Sequence, residues 1–452
     1  MCGAVPRAKP QGVCRADIPG ERFRERRGSV FEAFVLRRRV GGVLTKQCGI
    51  SLLALAVLAL AGPVAKADVV TDWNTTAGNI VVATKPPPGA SYRTMAIVQS
   101  AVYEAVNAIT RRYPPDRVKL DAAPGASVEA AVAAANRAAL SKLAPSQQAA
   151  IDDASRVALA AVPDGPAKTE GIAVGERAAT AILSFCANDG ADAPESYRPH
   201  TTAGVYVPTV IPVLSHWPHR RPWIMTSADQ FRPGAPPSLS SDVWARDYNE
   251  IKALGAKNST QRTAEQTDIA RFWESTASTI YFPVVRSVAE APGRETTQNA
   301  RLLAVAAQAM DDALIAVFDA KYHYNFWRPI TAIRNGDTYG NEATKRDDSW
   351  VPFIDTPMHP EYPCAHCITA ATIGAILKAE VGTGAMPRLS TTSGTAPGVV
   401  RSWTRIDDFM QEVASARIFG GVHYRNSTEV GIAVGQQIGE LAAAKYLRPN
   451  AR

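Results

Sequence analysis

Apolar residues recur at three- and four-residue spacing along most of this 452-residue chain, the pattern of helices that each bury one face. Met95 to Ile109 (MAIVQSAVYEAVNAI) shows it first, and Ser127 to Leu143, Ser146 to Val162 and Thr169 to Ala187 repeat it with abundant alanine. Further helices are predicted over Ser240 to Leu254, Thr263 to Thr276, Thr297 to Phe318, His366 to Val381, Ile406 to Phe419 and Glu429 to Leu447. Asp68 to Tyr92 reads instead as a polar lead-in, extended around Pro86, Pro87 and Pro88, and Gly382 to Gly398 reads as a loop. From Ala191 to Leu239, prolines, Trp217, Trp223 and short β-branched runs such as Val205 to Val213 break the pattern. That segment is too long for a mere connector and is expected to drape over the bundle or line an entrance. With almost no alternating runs, the fold class is mainly α, a bundle of helices.

The N-terminal part departs from this pattern. A basic lead with Arg37, Arg38, Arg39 and Lys46 precedes an apolar run from Ile50 to Ala61, followed by Ala65, Lys66 and Ala67 as a small-x-small cleavage site. Residues 1–67 therefore read as a segment removed on export, leaving one domain over 68–452 that starts at Asp68. The run is short for a membrane span and no later stretch qualifies, so no integral span is expected in the mature chain. The lead holds 12 of the 49 Lys and Arg but 4 of the 42 Asp and Glu, which leaves 37 basic and 38 acidic groups, a net charge of about −1. The basic balance of the whole chain thus belongs to the lead and argues against a nucleic-acid partner. Cys2, Cys14 and Cys48 leave with it, while Cys186, Cys364 and Cys367 remain, too few for a disulfide framework.

Positive charge in the mature chain matters locally, in three stretches: KYHYNFWRP (321–329), YPCAHC (362–367) and ARIFGGVHYRNS (416–427). Lys321 and Arg328 stand seven residues apart and would share a face of one continuous helix that Pro329 stops or kinks. The aromatic residues Tyr322, Tyr324, Phe326 and Trp327 between them point to burial, and a buried cation needs an anionic partner. Cys364 is expected at an N-cap, with the backbone N–H groups of that helix N-terminus and the Cys364 side chain facing an anion and His366 beside it. Gly420 and Gly421 would let Arg417 end one helix and His423 open the next, so that an arginine fork and an imidazole converge. Three fixed cations and two titratable rings suit a tetrahedral or trigonal-bipyramidal oxyanion, phosphate or vanadate.

Together the three stretches resemble the superfamily of vanadium-dependent haloperoxidases and type 2 phosphatidic acid phosphatases (PAP2), in its exported bacterial haloperoxidase-like branch. Its signature is K-x6-RP, then PSGH, then a small residue followed by R-x5-H. The resemblance implies a helical-bundle fold with the oxyanion core at about 297–447. It also implies a vanadate cofactor bound through Lys321, Arg328, Arg417, the Cys364 side chain and the Ala365 N–H, with His423 as the vanadium ligand and His366 as acid–base residue. Lys321 would polarise peroxide, and His359 would lie on the halide side. The implied reaction is halide oxidation by hydrogen peroxide. The alternatives on the same pocket are an exported acid phosphatase acting on a phosphomonoester, with His423 as the nucleophile that forms a phosphohistidine, and a non-catalytic oxyanion-binding protein.

Three departures stand out. Cys364 replaces serine, Ala365 replaces glycine, and Ser427 stands where members of the superfamily have an aspartate that orients the histidine. The orienting group is thereby left to Ser427 or Glu429. The Cys364–Cys367 pair further allows a local disulfide; if unbonded, Cys364 would be a thiol of lowered pKa.

Overall fold

The computed structural model describes residues 68–447; the expected export segment lies outside the described residues. Thirteen helices and one hairpin follow in order: α1 (Val69–Ala83), α2 (Pro88–Thr110), α3 (Val128–Leu143), α4 (Gln148–Ala160), α5 (Pro166–Phe185), α6 (Asp242–Leu254), α7 (Ala264–Phe272), α8 (Phe282–Ala289), α9 (Thr296–Tyr324), α10 (Pro329–Arg334), α11 (Ala365–Val381), β1 (Leu389–Ser393), β2 (Ala396–Trp403), α12 (Ile406–Phe419) and α13 (Arg425–Tyr446). The axis of the fold is α9. It is buried almost all round from Thr297 to Lys321, as a helix enclosed by others must be, and it packs against α2 on one side and against α11 and α13 on another. No described helix is long and apolar enough to cross a membrane.

Local signals set most helix starts. Ser127 caps α3 by accepting the Ala130 N–H, and Thr263 with Gln266 forms a reciprocal capping box on α7. The helix pair with the most extensive contact is α11 against α13. Gly435 and Gly439 allow it, because a Cβ at either position would strike the carbonyl oxygen of Ile368 or Thr372. This contact locks the stretch carrying His366 to the helix that follows His423.

Several sequence expectations are corrected. The stretch read as an extended lead-in is mostly helix, with Val70, Trp73, Ala77, Ile80 and Val81 buried on one face of α1. The chain is non-helical only around residues 84–87 before α2 begins at Pro88. Nor do Lys321 and Arg328 share a continuous helix. Asn325 takes the left-handed conformation (φ 51°) and closes α9, because asparagine tolerates that region better than most residues. Pro329 then opens α10 instead of ending a helix, since its missing N–H is no loss at the first position. The second half of the expected Gly382–Gly398 loop belongs to the antiparallel hairpin β1–β2, paired from Leu389↔Trp403. Its inward positions include Thr391 and Ser393, whose hydroxyls donate to the Ile280 and Phe272 carbonyls, so no apolar alternation marks the strand.

The irregular segment 191–239 does line an entrance, and α9 fastens it. Asp312 accepts the N–H groups of Trp223, Ile224 and Met225 at 2.7–2.8 Å, and Asp311 takes Arg220 through both oxygens. The Tyr322 hydroxyl donates to the Val213 carbonyl, and Val213 N–H to Met358 O, which ties this segment to α9 and to the turn before α11.

Candidate oxyanion site

Four elements deliver the charged groups to one place. Lys321 comes from the last turn of α9, Arg328 from the cap of α10, His366 from the first turn of α11 and Arg417 from the last turn of α12. Past Arg417 the chain turns through Gly420 and Gly421. Gly421 has φ +79° and passes so close to the Gly255 carbonyl that no side chain would fit. His423 follows just before α13. Arg328, His359, Ala365, His366, Arg417 and His423 all line one cavity of about 580 Å³. Tyr206, Val207, Val210 and Val213 of the irregular segment form an apolar wall across it, with Leu314, Phe318 and Met358. An oxyanion fills only a fraction of this volume.

Lys321, Arg328 and Arg417 are each at most 1% exposed. Arg328 donates from Nε to the His359 carbonyl (2.9 Å), from Nη1 to the Val422 carbonyl (2.8 Å), and from Nη2 to His359 Nδ1 (3.0 Å). Arg417 donates from Nη1 to the Trp273 carbonyl (2.5 Å), while its Nε is buried without a partner. Among the described residues, no carboxylate is hydrogen-bonded to any of the three cations. Burial pushes both guanidinium groups down to about 10, and drives the Lys321 ammonium well below its ordinary value with help from Arg328. A buried cluster of this kind is completed by an anion.

Lys321 differs from the arginines. Its Nζ donates to the carbonyls of Pro360 (3.0 Å), Glu361 (2.7 Å) and Pro363 (2.6 Å), which uses all three of its hydrogens. In this structure it clamps the turn leading into α11, and contact with an oxyanion requires release of one carbonyl. Lys321→Met should therefore destabilise the protein by roughly 3 kcal/mol, since three buried carbonyls lose their donor while one buried charge is relieved. A chemical-denaturation midpoint unchanged from wild type would show that the clamp contributes nothing.

Hydrogen-bond logic assigns the three histidine tautomers. His423 Nδ1 lies 2.8 Å from Glu361 Oε1, and its Nε2 is 3.4 Å from Arg328 Nη1, which can only donate. The hydrogen is therefore on Nδ1, and Nε2 offers a lone pair. His366 Nε2 lies 2.9 Å from the Ser275 carbonyl and must donate to it, which leaves Nδ1 as the basic atom. His359 Nδ1 accepts from Arg328, so Nε2 carries its hydrogen. The 3.1 Å approach of Nδ1 to the Pro360 carbonyl is then not a hydrogen bond. Burial, reinforced by the neighbouring cations, holds all three rings well below their ordinary values.

The second motif brings two corrections. Cys364 does cap α11, its sulfur accepting the Cys367 N–H at 3.2 Å, but the two sulfurs form a disulfide. Cys364 thus has no S–H to offer an anion, and no thiol of lowered pKa exists there. The first-turn N–H groups of Ala365 and His366 remain without intrahelical acceptors. The second correction concerns the orienting group. Glu429 is exposed, and the Ser427 hydroxyl is 3.4 Å from His423 Nδ1. Glu361, fully buried and raised to about 7 by burial, makes the short contact. Sequence reading missed it, although an acidic residue five before His366 inside an aromatic, Pro-rich turn was a usable signal.

Residues 301–451 match the family model described as the VCPO second helical-bundle domain. Vanadium chloroperoxidase of Curvularia inaequalis is 30% identical over 165 residues, a stretch covering 29% of this chain and 26% of that protein, so about a quarter of the relative's length is matched. Among solved structures, a bacterial vanadium-dependent iodoperoxidase superposes with a TM-score of 0.72 at 23% identity, over 84% of this chain and 96% of the other. The holo form of a bacterial vanadium-dependent chloroperoxidase gives 0.63 at 17% identity, over 80% and 93%. These structural likenesses establish a shared helical fold.

Proposed function

We propose that this chain, which belongs to the superfamily of haloperoxidases and PAP2-like proteins, is an exported vanadium-dependent haloperoxidase that oxidises halide with hydrogen peroxide. One observation carries the reading: Arg328 and Arg417, buried with no carboxylate hydrogen-bonded to either, line a cavity that His423 also lines, and Nε2 is the unprotonated nitrogen of that histidine. The residues present fit a vanadate. Arg417 has a buried Nε free to donate, Arg328 and the α11 N-terminus add donors, and His423 Nε2 becomes a ligand atom once its long 3.4 Å contact with Arg328 Nη1 is given up. When bound, vanadate supplies an electron-poor centre that activates peroxide.

The chain's own groups account for the rest. Halide, hydrogen peroxide and one proton give hypohalous acid and water, so the site must deliver a proton. His366 serves at Nδ1, because its Nε2–H is engaged with Ser275 and holds the ring in place. His359 lines the cavity and keeps its Nε2–H as a donor, which would steady an anion such as halide. The apolar wall limits water around both.

The deciding experiment uses one preparation of the protein, stripped of metal and loaded with vanadate, assayed for bound vanadium, bromide and iodide oxidation, and aryl phosphate hydrolysis. About one vanadium per chain with peroxide-dependent halide oxidation is expected. Phosphate ester hydrolysis that vanadate inhibits, without halide oxidation, would assign the pocket to a phosphatase. Oxyanion binding with neither activity would make the chain a binding protein.

A further inference from the structure

We infer that Glu361 is the positioning residue for His423, and that Ser427 is its counterpart: the orienting carboxylate has moved from the helix after the histidine to the turn before α11. The inference rests on the reading that His423 Nε2 faces the oxyanion. Glu361 Oε1 accepts from His423 Nδ1 at 2.8 Å and from the Tyr424 backbone N–H at 3.0 Å, so one oxygen holds both the ring and the backbone beside it. The glutamate is itself immobilised. Its backbone N–H donates to Phe326 O at 2.8 Å, and its carbonyl accepts from Lys321 Nζ at 2.7 Å, which ties together elements from all three motifs.

Oε1 also accepts the Tyr424 N–H, which marks it as the acceptor oxygen, so the Nδ1 hydrogen bond keeps its direction when Glu361 is ionised or carries its proton on Oε2. A carboxylate at Nδ1 fixes the tautomer in which Nε2 keeps its lone pair and raises the basicity of that nitrogen. Ser427 is 1% exposed, with its hydroxyl 3.4 Å from the same Nδ1. An aspartate there would compete for one hydrogen and press a second carboxyl against Glu361 in a buried space. The small residue at 427 thus leaves Glu361 as the one carboxyl hydrogen-bonded to His423 among the described residues.

The test reads the His423 tautomer by ¹⁵N NMR of the metal-free protein, alongside vanadate affinity. Wild type should show the hydrogen on Nδ1. Glu361→Leu, which preserves side-chain bulk, should give a mixture of tautomers and weaken vanadate binding about 10–100-fold. Adding Ser427→Asp to that variant should restore the Nδ1–H form and bring affinity back to within a few-fold. A wild-type ring protonated at Nε2 would overturn the inference even if Glu361→Leu failed to fold. So would a folded Glu361→Leu protein with unchanged tautomer and affinity, or a folded double variant showing no rescue. Absence of vanadate uptake by the wild type, with His423 nonetheless in the Nδ1–H form, would sink the haloperoxidase reading and leave the Glu361–His423 pairing standing.

Discussion

Arg417→Met should weaken oxyanion binding about 100-fold, equivalent to roughly 3 kcal/mol, while making the metal-free protein harder to unfold. The binding loss follows from removing a buried guanidinium whose Nε has no protein partner and which borders the cavity beside His366. The stability gain follows from the same fact. A buried cation without a carboxylate costs desolvation energy that only the anion offsets, and an apolar side chain of similar length avoids it. One term opposes the gain, because the Trp273 carbonyl loses its donor. That loss of about 1 kcal/mol should be the smaller effect, for a rise of a few degrees in Tm. Sulfate titration by calorimetry, together with thermal unfolding, tests both halves. A variant that binds sulfate like wild type, or melts lower without anion, would mean that Arg417 is structural.

The same charge argument fixes a pH dependence. Burial, with repulsion from neighbouring cations, depresses the Lys321 ammonium and the His366 imidazole well below their ordinary values. A bound dianion opposes that repulsion and raises both, so binding takes up protons in the window between the free and bound values. Sulfate keeps its charge over this range, so its affinity should rise as pH falls, by up to about tenfold per pH unit for each proton taken up.

His423→Ala should lower vanadate affinity by more than about 100-fold, beyond the usual cost of disturbing a residue behind a metal ligand, yet leave sulfate binding within a few-fold. Sulfate needs only donors and positive charge, which Arg328, Arg417 and the α11 N-terminus still supply. Vanadate also needs a ligand atom, which the alanine lacks. The fold should survive, since Glu361 keeps the Tyr424 N–H as a partner. Equal loss of both anions would indicate a collapsed pocket, and equal retention would remove His423 from the site.

The helices were legible wherever a long stretch buries one face, as in α5 and α13, because three- and four-residue periodicity is a local property of the chain. The same periodicity was present in α1, with Val70, Trp73, Ala77 and Ile80, but neighbouring prolines and threonines obscured it. The hairpin hid for another reason. Its buried positions include hydroxyl side chains satisfied by distant carbonyls, and nothing in the strand announces those partners.

At the site, residue types and spacing alone determined which groups could take part: Lys321, Arg328, His366, Arg417 and His423, with glycines permitting the turn between the last two. Local rules also predicted Cys364 as a helix cap. What only the tertiary structure decided is which donor meets which acceptor. Glu361 and His423 are 62 positions apart, and Lys321 finds the Pro363 carbonyl 42 positions on. Those pairings depend on α9, α11 and α13 packing together, with Gly435 and Gly439 setting one of the distances. Sequence periodicity encodes which face of a helix is buried. It does not encode the angstrom-scale placement of two buried polar atoms, which arises only when several helices close on one another and every buried hydrogen-bonding group must find a partner.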